Sequence, residues 1–408
     1  MSTKKEKSAN DVVIVSAART AFGRFGGALR DVPAIDLGVA VMKAVLDRTG
    51  KSNIHIDEVV VGNCCQCEVK PLAPIVARAA LLKLGLPAET VSITLDRACC
   101  SSMAAVQVGH RDILTDNADV VLAAGMENLN RVPYLIRDLR WGTRIGDVTL
   151  SDDLFGMSSG EGYEPVAKDA GEVALEFGFD RAALDLWSYN SQMRYQKALK
   201  ESKFKEEIVP FEIVQKKKTI VFDQDEFPKP DTTLEGLSKL PTIYGSPTIT
   251  AGNAPGLDAG ASAILLMKRS SAESYGLKPL ARILSSQSVS SPVRYMATTP
   301  AVAIQKALGK CSLALDDLKL IEINEAFSAM PLVSLRILAG KDDKKLQALM
   351  DIINVNGGAI AIGHPVGASG ARVILTLMYE LRRRGGGIGA ASICGGLGNG
   401  DATIIETE

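Results

Sequence analysis

Three residues in this chain stand where side chains can do covalent chemistry. Cys99 lies in the run Asp96-Arg97-Ala98-Cys99-Cys100-Ser101-Ser102-Met103, a thiol followed by small residues and then an amphipathic stretch. That order reads as a nucleophile at the start of a helix, where unpaired backbone N–H groups and the helix dipole favour a thiolate. His364 sits in the glycine-rich run Asn356-Gly357-Gly358-Ala359-Ile360-Ala361-Ile362-Gly363-His364-Pro365-Val366-Gly367. A second thiol, Cys394, opens Cys394-Gly395-Gly396-Leu397-Gly398. The chain has only three histidines. His55 falls in a polar loop and His110 in mid-helix, so His364 is the one with room for a ligand beside it. Two cysteines and a histidine, each in a tight loop, point to acyl transfer through a thioester on sulfur.

The elements that must carry these loops alternate between strand and helix. Val12 to Arg19 is a β-branched strand, and Ala34 to Thr49 has helical periodicity ending at Gly50. Val59 to Gly62 is a buried strand, Ala77 to Leu84 a helix closed by Gly85, and Val91 to Leu95 another strand. A helix from Ser101 to Thr115 feeds the strand Val120 to Ala124. This alternation predicts an α/β sandwich. The second half echoes the first: laying Ser102 on Ser369 also aligns Ala104 with Ala371 and Val106 with Val373. The echo divides the chain into a half over 1–128 completed by about 256–277, an insertion over 129–255, and a second half over 278–408. Cys99 and His364 then precede equivalent helices, and a pseudo-twofold would bring both to one pocket.

Composition narrows the function classes. With 408 residues, 23% charged and 46% hydrophobic, and a net charge of −1, the chain is an ordinary globular protein without an electrostatic footprint for nucleic acid or a membrane surface. No apolar run approaches the roughly 20 residues that span a bilayer. The polar N-terminus lacks a signal-peptide core and Glu406-Thr407-Glu408 is not a peroxisomal address, so the cytoplasm is expected. Seven cysteines form no regular framework and read as reduced thiols. Cys64-Cys65-Gln66-Cys67 lacks zinc-site spacing and reads as a packed loop after a strand; no metal is expected.

Ordered motifs across nearly the whole chain resemble the thiolase family. They are Ser16-Ala17-Ala18-Arg19-Thr20 with Phe25-Gly26-Gly27-Ala28, then Gly125-Met126-Glu127-Asn128, Asp231-Thr232-Thr233-Leu234-Glu235-Gly236, Thr250-Ala251-Gly252-Asn253-Ala254 and Asn324-Glu325-Ala326-Phe327. The resemblance implies the five-layered αβαβα thiolase fold of two similar halves, with an inserted loop domain over a coenzyme A channel. It implies reversible acyl exchange between coenzyme A thioesters, by condensation to a 3-ketoacyl-CoA or its thiolysis, with acetoacetyl-CoA as the first substrate expected. Coenzyme A and acyl-CoA enter as substrates, with no permanently bound cofactor. A homodimer or homotetramer is implied, the stretch near Arg131 to Asp147 resembling the family's tetramer loop.

By that resemblance Cys99 carries the acyl group, while His364 takes its proton and, as a neutral donor, holds a thioester oxygen. Cys394 is the second acid/base, and both thiols facing one pocket could pair on oxidation. Asn324 fixes a water with His364, and the N–H groups of Cys99 and Gly396 hold the tetrahedral oxyanion. Glu325 is either a partner of these or a structural carboxylate. Met296 and Phe327 line the acyl pocket, Asn253 and Pro255 the pantetheine arm, and Lys216, Lys217 and Lys218 are candidates for the phosphates. Asp96 in place of asparagine, Ser102 in place of glycine, Pro255 in place of serine, and an unaligned stretch at Pro165-Val166 depart from the family pattern. A longer-chain thiolase of β-oxidation and a decarboxylating ketosynthase are the enzymatic alternatives. A non-catalytic acyl-CoA carrier or scaffold is the alternative of another class.

Overall fold

The computed structural model describes residues 7–69, 73–160, 162–215 and 218–408. Nine strands carry the architecture: β1 (Val12–Thr20), β2 (Glu58–Gly62), β3 (Val91–Leu95), β4 (Val120–Asn128), β5 (Ala259–Lys268), β6 (Ala281–Ser290), β7 (Leu320–Ile323), β8 (Ile388–Gly395) and β9 (Asn399–Thr407). Six helices pack on them: α1 (Ala34–Asp47), α2 (Val76–Leu84), α3 (Ser101–Leu114), α4 (Thr299–Cys311), α5 (Ala329–Ala339) and α6 (Ser369–Arg383). The strand order is β7-β8-β9-β6-β1-β5-β4-β2-β3. β1 and β6 meet through only two residue pairs, Val13 with Arg282 and Ile14 with Ala281. On either side of that seam the order repeats, β1-β5-β4-β2 answering β6-β9-β8-β7.

Alternation along the strands builds the layers, because successive side chains leave a strand on opposite faces. In β1, Val13 and Val15 enter one core with α1 and α2, while Val12 and Ile14 enter another with α3 and α6. In the second half, Ala390 and Ile404 face α4 and α5, while Ala391 and Ile405 turn toward α3 and α6. Three cores thus separate five layers, helix–sheet–helix–sheet–helix, with α3 and α6 in the middle. This is the five-layered αβαβα fold that the motifs implied.

Between β4 and β5 the chain forms short hairpins and the helices Val166–Glu176 and Arg181–Lys200. A fully buried arginine ties this segment to β1. Arg19 Nε donates to Glu207 at 3.1 Å, and its Nη1 and Nη2 donate to the two oxygens of Asp225 at 2.7 and 3.0 Å. Such a charge is tolerable in the interior only because two carboxylates answer it.

The first turns of α3 and α6 lie closer to their surroundings than any side chain allows. A Cβ on Gly62, the last residue of β2, would sit 2.5 Å from the backbone carbon of Ser101. One on Gly370 would sit 2.4 Å from the amide nitrogen of Met103. Backbone cannot move aside as a flexible side chain can. We expect Gly62→Ala to destabilise the fold by about 3 kcal/mol, the upper end for overpacking. Gly156→Ala, with nothing within 4 Å, should be near neutral; urea denaturation of both variants checks this.

Candidate active site

The chemistry gathers at the C-terminal ends of the parallel strands, the usual place for a site in an α/β sheet. Asn324 follows β7, Cys394 lies near the end of β8, and Cys99 lies on the turn that follows β3. Ala98 takes the left-handed conformation, φ +49°, a strained arrangement for a residue with a Cβ, costing roughly 1–2 kcal/mol. Hydrogen bonds over-determine the turn. The Ser101 hydroxyl donates to Ala98 O at 2.6 Å and accepts from the Arg97 N–H at 2.9 Å. The Asp96 carboxylate accepts from the Ala98 N–H at 2.8 Å. The departure at Asp96 is thereby absorbed into the turn. Ser102 is absorbed likewise: its buried hydroxyl accepts from the Ala371 N–H at 2.9 Å and links the starts of α3 and α6.

Cys99 is half-buried, and the backbone N–H groups of Cys99 and Gly396 act on its sulfur in the direction that favours a thiolate. Gly395 and Gly396 pack against the Arg97–Cys100 turn: a Cβ on Gly395 would lie 2.9 Å from Cys100 Sγ, and one on Gly396 would lie 3.4 Å from Ala98 Cβ. Burial drives the Cys99 thiol well above its ordinary range, with Cys394 and Cys64 adding to the rise. The helix-start argument for a resting thiolate is therefore corrected. Desolvation outweighs the helix terminus here, an effect worth about 0.3–2 kcal/mol. Cys394, buried in the core that also holds Met296, is pushed up to about 12 by burial. Both groups rest as neutral, free thiols.

His364 follows Gly363, whose φ of +110° lets the chain turn under Asp258. The His364 N–H donates to Asp258 Oδ2 at 2.6 Å. Its Nδ1 meets Ser369 Oγ at 2.6 Å, while that hydroxyl donates to Pro365 O at 3.0 Å. The hydroxyl has one proton, so it accepts from an Nδ1–H and leaves Nε2 bare. Nε2 faces Asn324 Nδ2 across a long 3.4 Å. Burial, with the charge of Arg372, lowers the imidazole to about 3; it is neutral at any working pH. With the proton on Nδ1, Nε2 is an acceptor at rest, and the amide N–H of Asn324 is the donor beside it.

Glu325 is a brace. Its oxygens accept from Trp187 Nε1, Ser191 Oγ, Asn354 Nδ2 and the Ile360 N–H at 2.8–3.0 Å. Glu127 does the same between the halves, accepting from the N–H groups of Cys64, Cys65 and Gly367 and from Asn63 Nδ2 at 2.9–3.0 Å. Cys64, Cys65 and Glu127 place ligand-type atoms within 4.8 Å of one another, but these N–H groups already occupy both carboxylate oxygens, so the cluster is built as a loop anchor.

A cleft of about 210 Å³ lies between two of the sequence motifs, Asp231-Thr232-Thr233 and Ala251-Gly252-Asn253-Ala254, with Phe227 and Lys229 on its wall. Lys229 Nζ stands 5.0 Å over the Phe227 ring. Lys216 and Lys217 fall outside the described residues. Lys218 is exposed on the strand Lys218–Phe222 and does not line this cleft. Lys229, an isolated cation beside a proline, gave no run for a sequence reading to notice. The Asn253 side chain is fully used inside the protein, donating to Asp185 and Thr248 O and accepting from the Thr250 N–H; it shapes the loop and offers nothing to a ligand. Pro255 is half-buried next to it, Met296 is buried and Phe327 half-buried against the same core. Pro165 caps the helix Val166–Glu176.

The thiolase N-terminal domain family matches residues 12–270 and the thiolase C-terminal domain family matches residues 277–407. The chain is 42% identical to an acetyl-CoA acetyltransferase of Escherichia coli K12, over 97% of this chain and 98% of that one. The crystal structure of human mitochondrial 3-ketoacyl-CoA thiolase superposes with a TM-score of 0.92 at 36% identity, over 98% of this chain and 100% of that one. The structure of that human enzyme in complex with CoA gives 0.91 at 36% identity, over 98% of each chain. The chain belongs to the thiolase family and is an acyltransferase acting on coenzyme A thioesters.

Asp258 gives the site a pH signature. Burial raises its carboxyl to about 7, so between about pH 4 and 7 the folded state holds a proton that the unfolded state has lost. Stability then falls as pH rises through that window. Asp258→Asn keeps an acceptor for the His364 N–H and removes the titration. We expect its urea midpoint to fall less than the wild type's between pH 5 and 7.5.

Proposed function

We propose that this thiolase interconverts two acetyl-CoA molecules with acetoacetyl-CoA and CoA. The observation that carries the reading is the packing of the Gly395-Gly396 turn on the Arg97–Cys100 turn, close enough for the N–H groups of Cys99 and Gly396 to act on the Cys99 sulfur. When the neutral thiol attacks a thioester carbonyl, its proton passes to the bare Nε2 of His364. The tetrahedral oxygen takes the charge, and those two N–H groups are the donors for it; one such donor is worth about 10²–10³ in rate. The leaving CoA sulfur takes the proton of Cys394, so that coenzyme A departs as a neutral thiol. Cys394 is left as a thiolate, balanced by the imidazolium.

That thiolate removes an α-proton from the second acetyl-CoA. The enolate oxygen is met by Nε2–H, now protonated, and by Asn324 Nδ2–H or a water held on it. The carbanion attacks the acetyl group on Cys99, whose sulfur leaves with the proton of His364. All groups return to their starting states. Cleavage runs the same steps in reverse, with CoA attacking the acyl-cysteine.

A short acyl group is favoured by two supports: Met296 and Phe327 pack against the core that holds Cys394, and the Escherichia coli relative is named for acetyl transfer. We assign the coenzyme A arm to the cleft beside Lys229, where a single cation suits a phosphate. The cytoplasm suits seven unpaired thiols, and no helix among the described residues is long and apolar enough to cross a membrane. Self-association is supported by the unpaired edge strand β3, with Val91 and Ile93 exposed, and by the exposed Leu139, Trp141 and Ile145 beyond β4.

Thiolysis of 3-ketoacyl-CoA substrates from short to long tests the substrate. We expect the four-carbon member to be cleaved far faster than the rest, and Cys99→Ala to lose at least about a thousandfold. A flat profile would assign the protein to longer chains. Loss of all Cys99 dependence would leave only a carrier. Sedimentation velocity tests the assembly: the wild type should run as a dimer or tetramer, and a Val91→Lys, Ile93→Lys variant as a smaller species.

A further inference from the structure

Arg372 is a charge that bears on the imidazole and that the chemistry above leaves without a task. It lies fully buried in the first turn of α6, three residues after Ser369. Its Nη2 donates to Asn324 Oδ1 at 3.0 Å. Its Nη1 stands 3.7 Å from Glu322 Oε2, and neither Nη1 nor Nε has a hydrogen-bond partner. An arginine held this way is poorly compensated for a structural ion pair, and a buried charge without full partners costs several kcal/mol. Its one well-formed bond goes to the amide beside the imidazole.

That bond has a directional consequence. A guanidinium can only donate, so the atom of Asn324 that meets it must be the carbonyl oxygen. The amide nitrogen then faces His364 Nε2, and a donor there requires Nε2 to be bare. The other side of the ring agrees independently, because the Ser369 hydroxyl spends its proton on Pro365 O and accepts from Nδ1. Five residues, Arg372, Asn324, His364, Ser369 and Pro365, form one chain of donors running in a single direction.

We propose that Arg372 is a positioning residue that orients the Asn324 amide and holds the His364 imidazole neutral, proton on Nδ1, until a substrate is bound. The groups facing His364 from the surrounding elements support this. Asp258, in the loop before β5, meets its backbone N–H. Glu322 and Glu325 lie on or just beyond β7, the first pushed up to about 8 by burial and the second consumed by four donors. Glu127 on β4 holds Gly367. Cys99 and Cys394 are thiols. Among these, Arg372 is the group whose charge bears on the ring, and it opposes a second proton. The consequence for chemistry is that no thiolate–imidazolium pair forms in the empty site, which protects Cys99 from stray electrophiles. The assignment rests on His364 serving as the base for Cys99.

Histidine-selective ¹⁵N labelling of the full-length protein, with His364→Asn to identify the signal, reads the tautomer directly. The wild type should show His364 neutral with its proton on Nδ1 from pH 5 to 9. In Arg372→Met, His364 should become protonated at a higher pH, and alkylation of Cys99 by iodoacetamide at pH 7 should speed up about tenfold for each unit that the imidazole rises. Arg372→Lys, which keeps the charge without the fork, should lower kcat while leaving His364 neutral. A wild-type proton on Nε2 overturns the proposal. So does a folded Arg372→Met whose His364 titration and Cys99 alkylation match the wild type. If Arg372→Met does not fold, the wild-type tautomer decides alone. Turnover that survives in His364→Asn would instead sink the base assignment, whatever the tautomer.

Discussion

The structure depends on a backbone contact that only glycine permits. The first turns of α3 and α6 approach each other and the strand ends through Gly62, Gly125, Gly367 and Gly370. At each of these a Cβ would fall within 2.8 Å of a backbone atom. Hydrophobic burial holds the layers together but is indifferent to small shifts. The glycine contacts are what fix the offset between the halves. Cys99 belongs to the first half, His364, Asn324 and Cys394 to the second, and no one half contains the constellation. Glu127 adds a second tie at the same level, its carboxylate gripping N–H groups of both halves at once.

A second constraint is electrostatic. The site is dry enough that each reactive group rests uncharged: thiols at Cys99 and Cys394, a neutral imidazole at His364. In the proposed reaction charge appears only on the substrate oxygen and on paired groups, where fixed donors are strongest. The charged groups nearby are committed elsewhere. Arg97 is tied to Asp401 and Val289 O, Glu325 to its four donors, and Arg372 to Asn324.

Much of this could be read from residue patterns, and the failures are instructive. β-Branched runs and closing glycines marked β1 to β4 and α1 to α3 within a few residues, because local periodicity decides such elements. Cys99, His364 and Cys394 stood out through rarity and glycine neighbours. The thiolate expected at Cys99 was wrong because burial is set by the other half of the chain, which no local pattern reports. Lys216 to Lys218 drew notice as a run, while Lys229 reached the cleft alone. Arg372 did leave a trace: a charge between Ala371 and Val373, inside the apolar start of a helix, is out of pattern. Ser369 left none, since a serine at a helix start reads as a cap.

In the proposed reaction the Cys99 sulfur is the one atom that carries the acyl group between the two half-reactions. The direct measurement is to mix the protein with acetyl-CoA, quench in acid within the first turnover, and map the acetyl group by peptide mass spectrometry. We expect acetyl on the peptide containing Cys99, at close to one per site, discharged on adding CoA. Acetyl on Cys64 or Cys394, or none on any thiol while turnover proceeds, would contradict it.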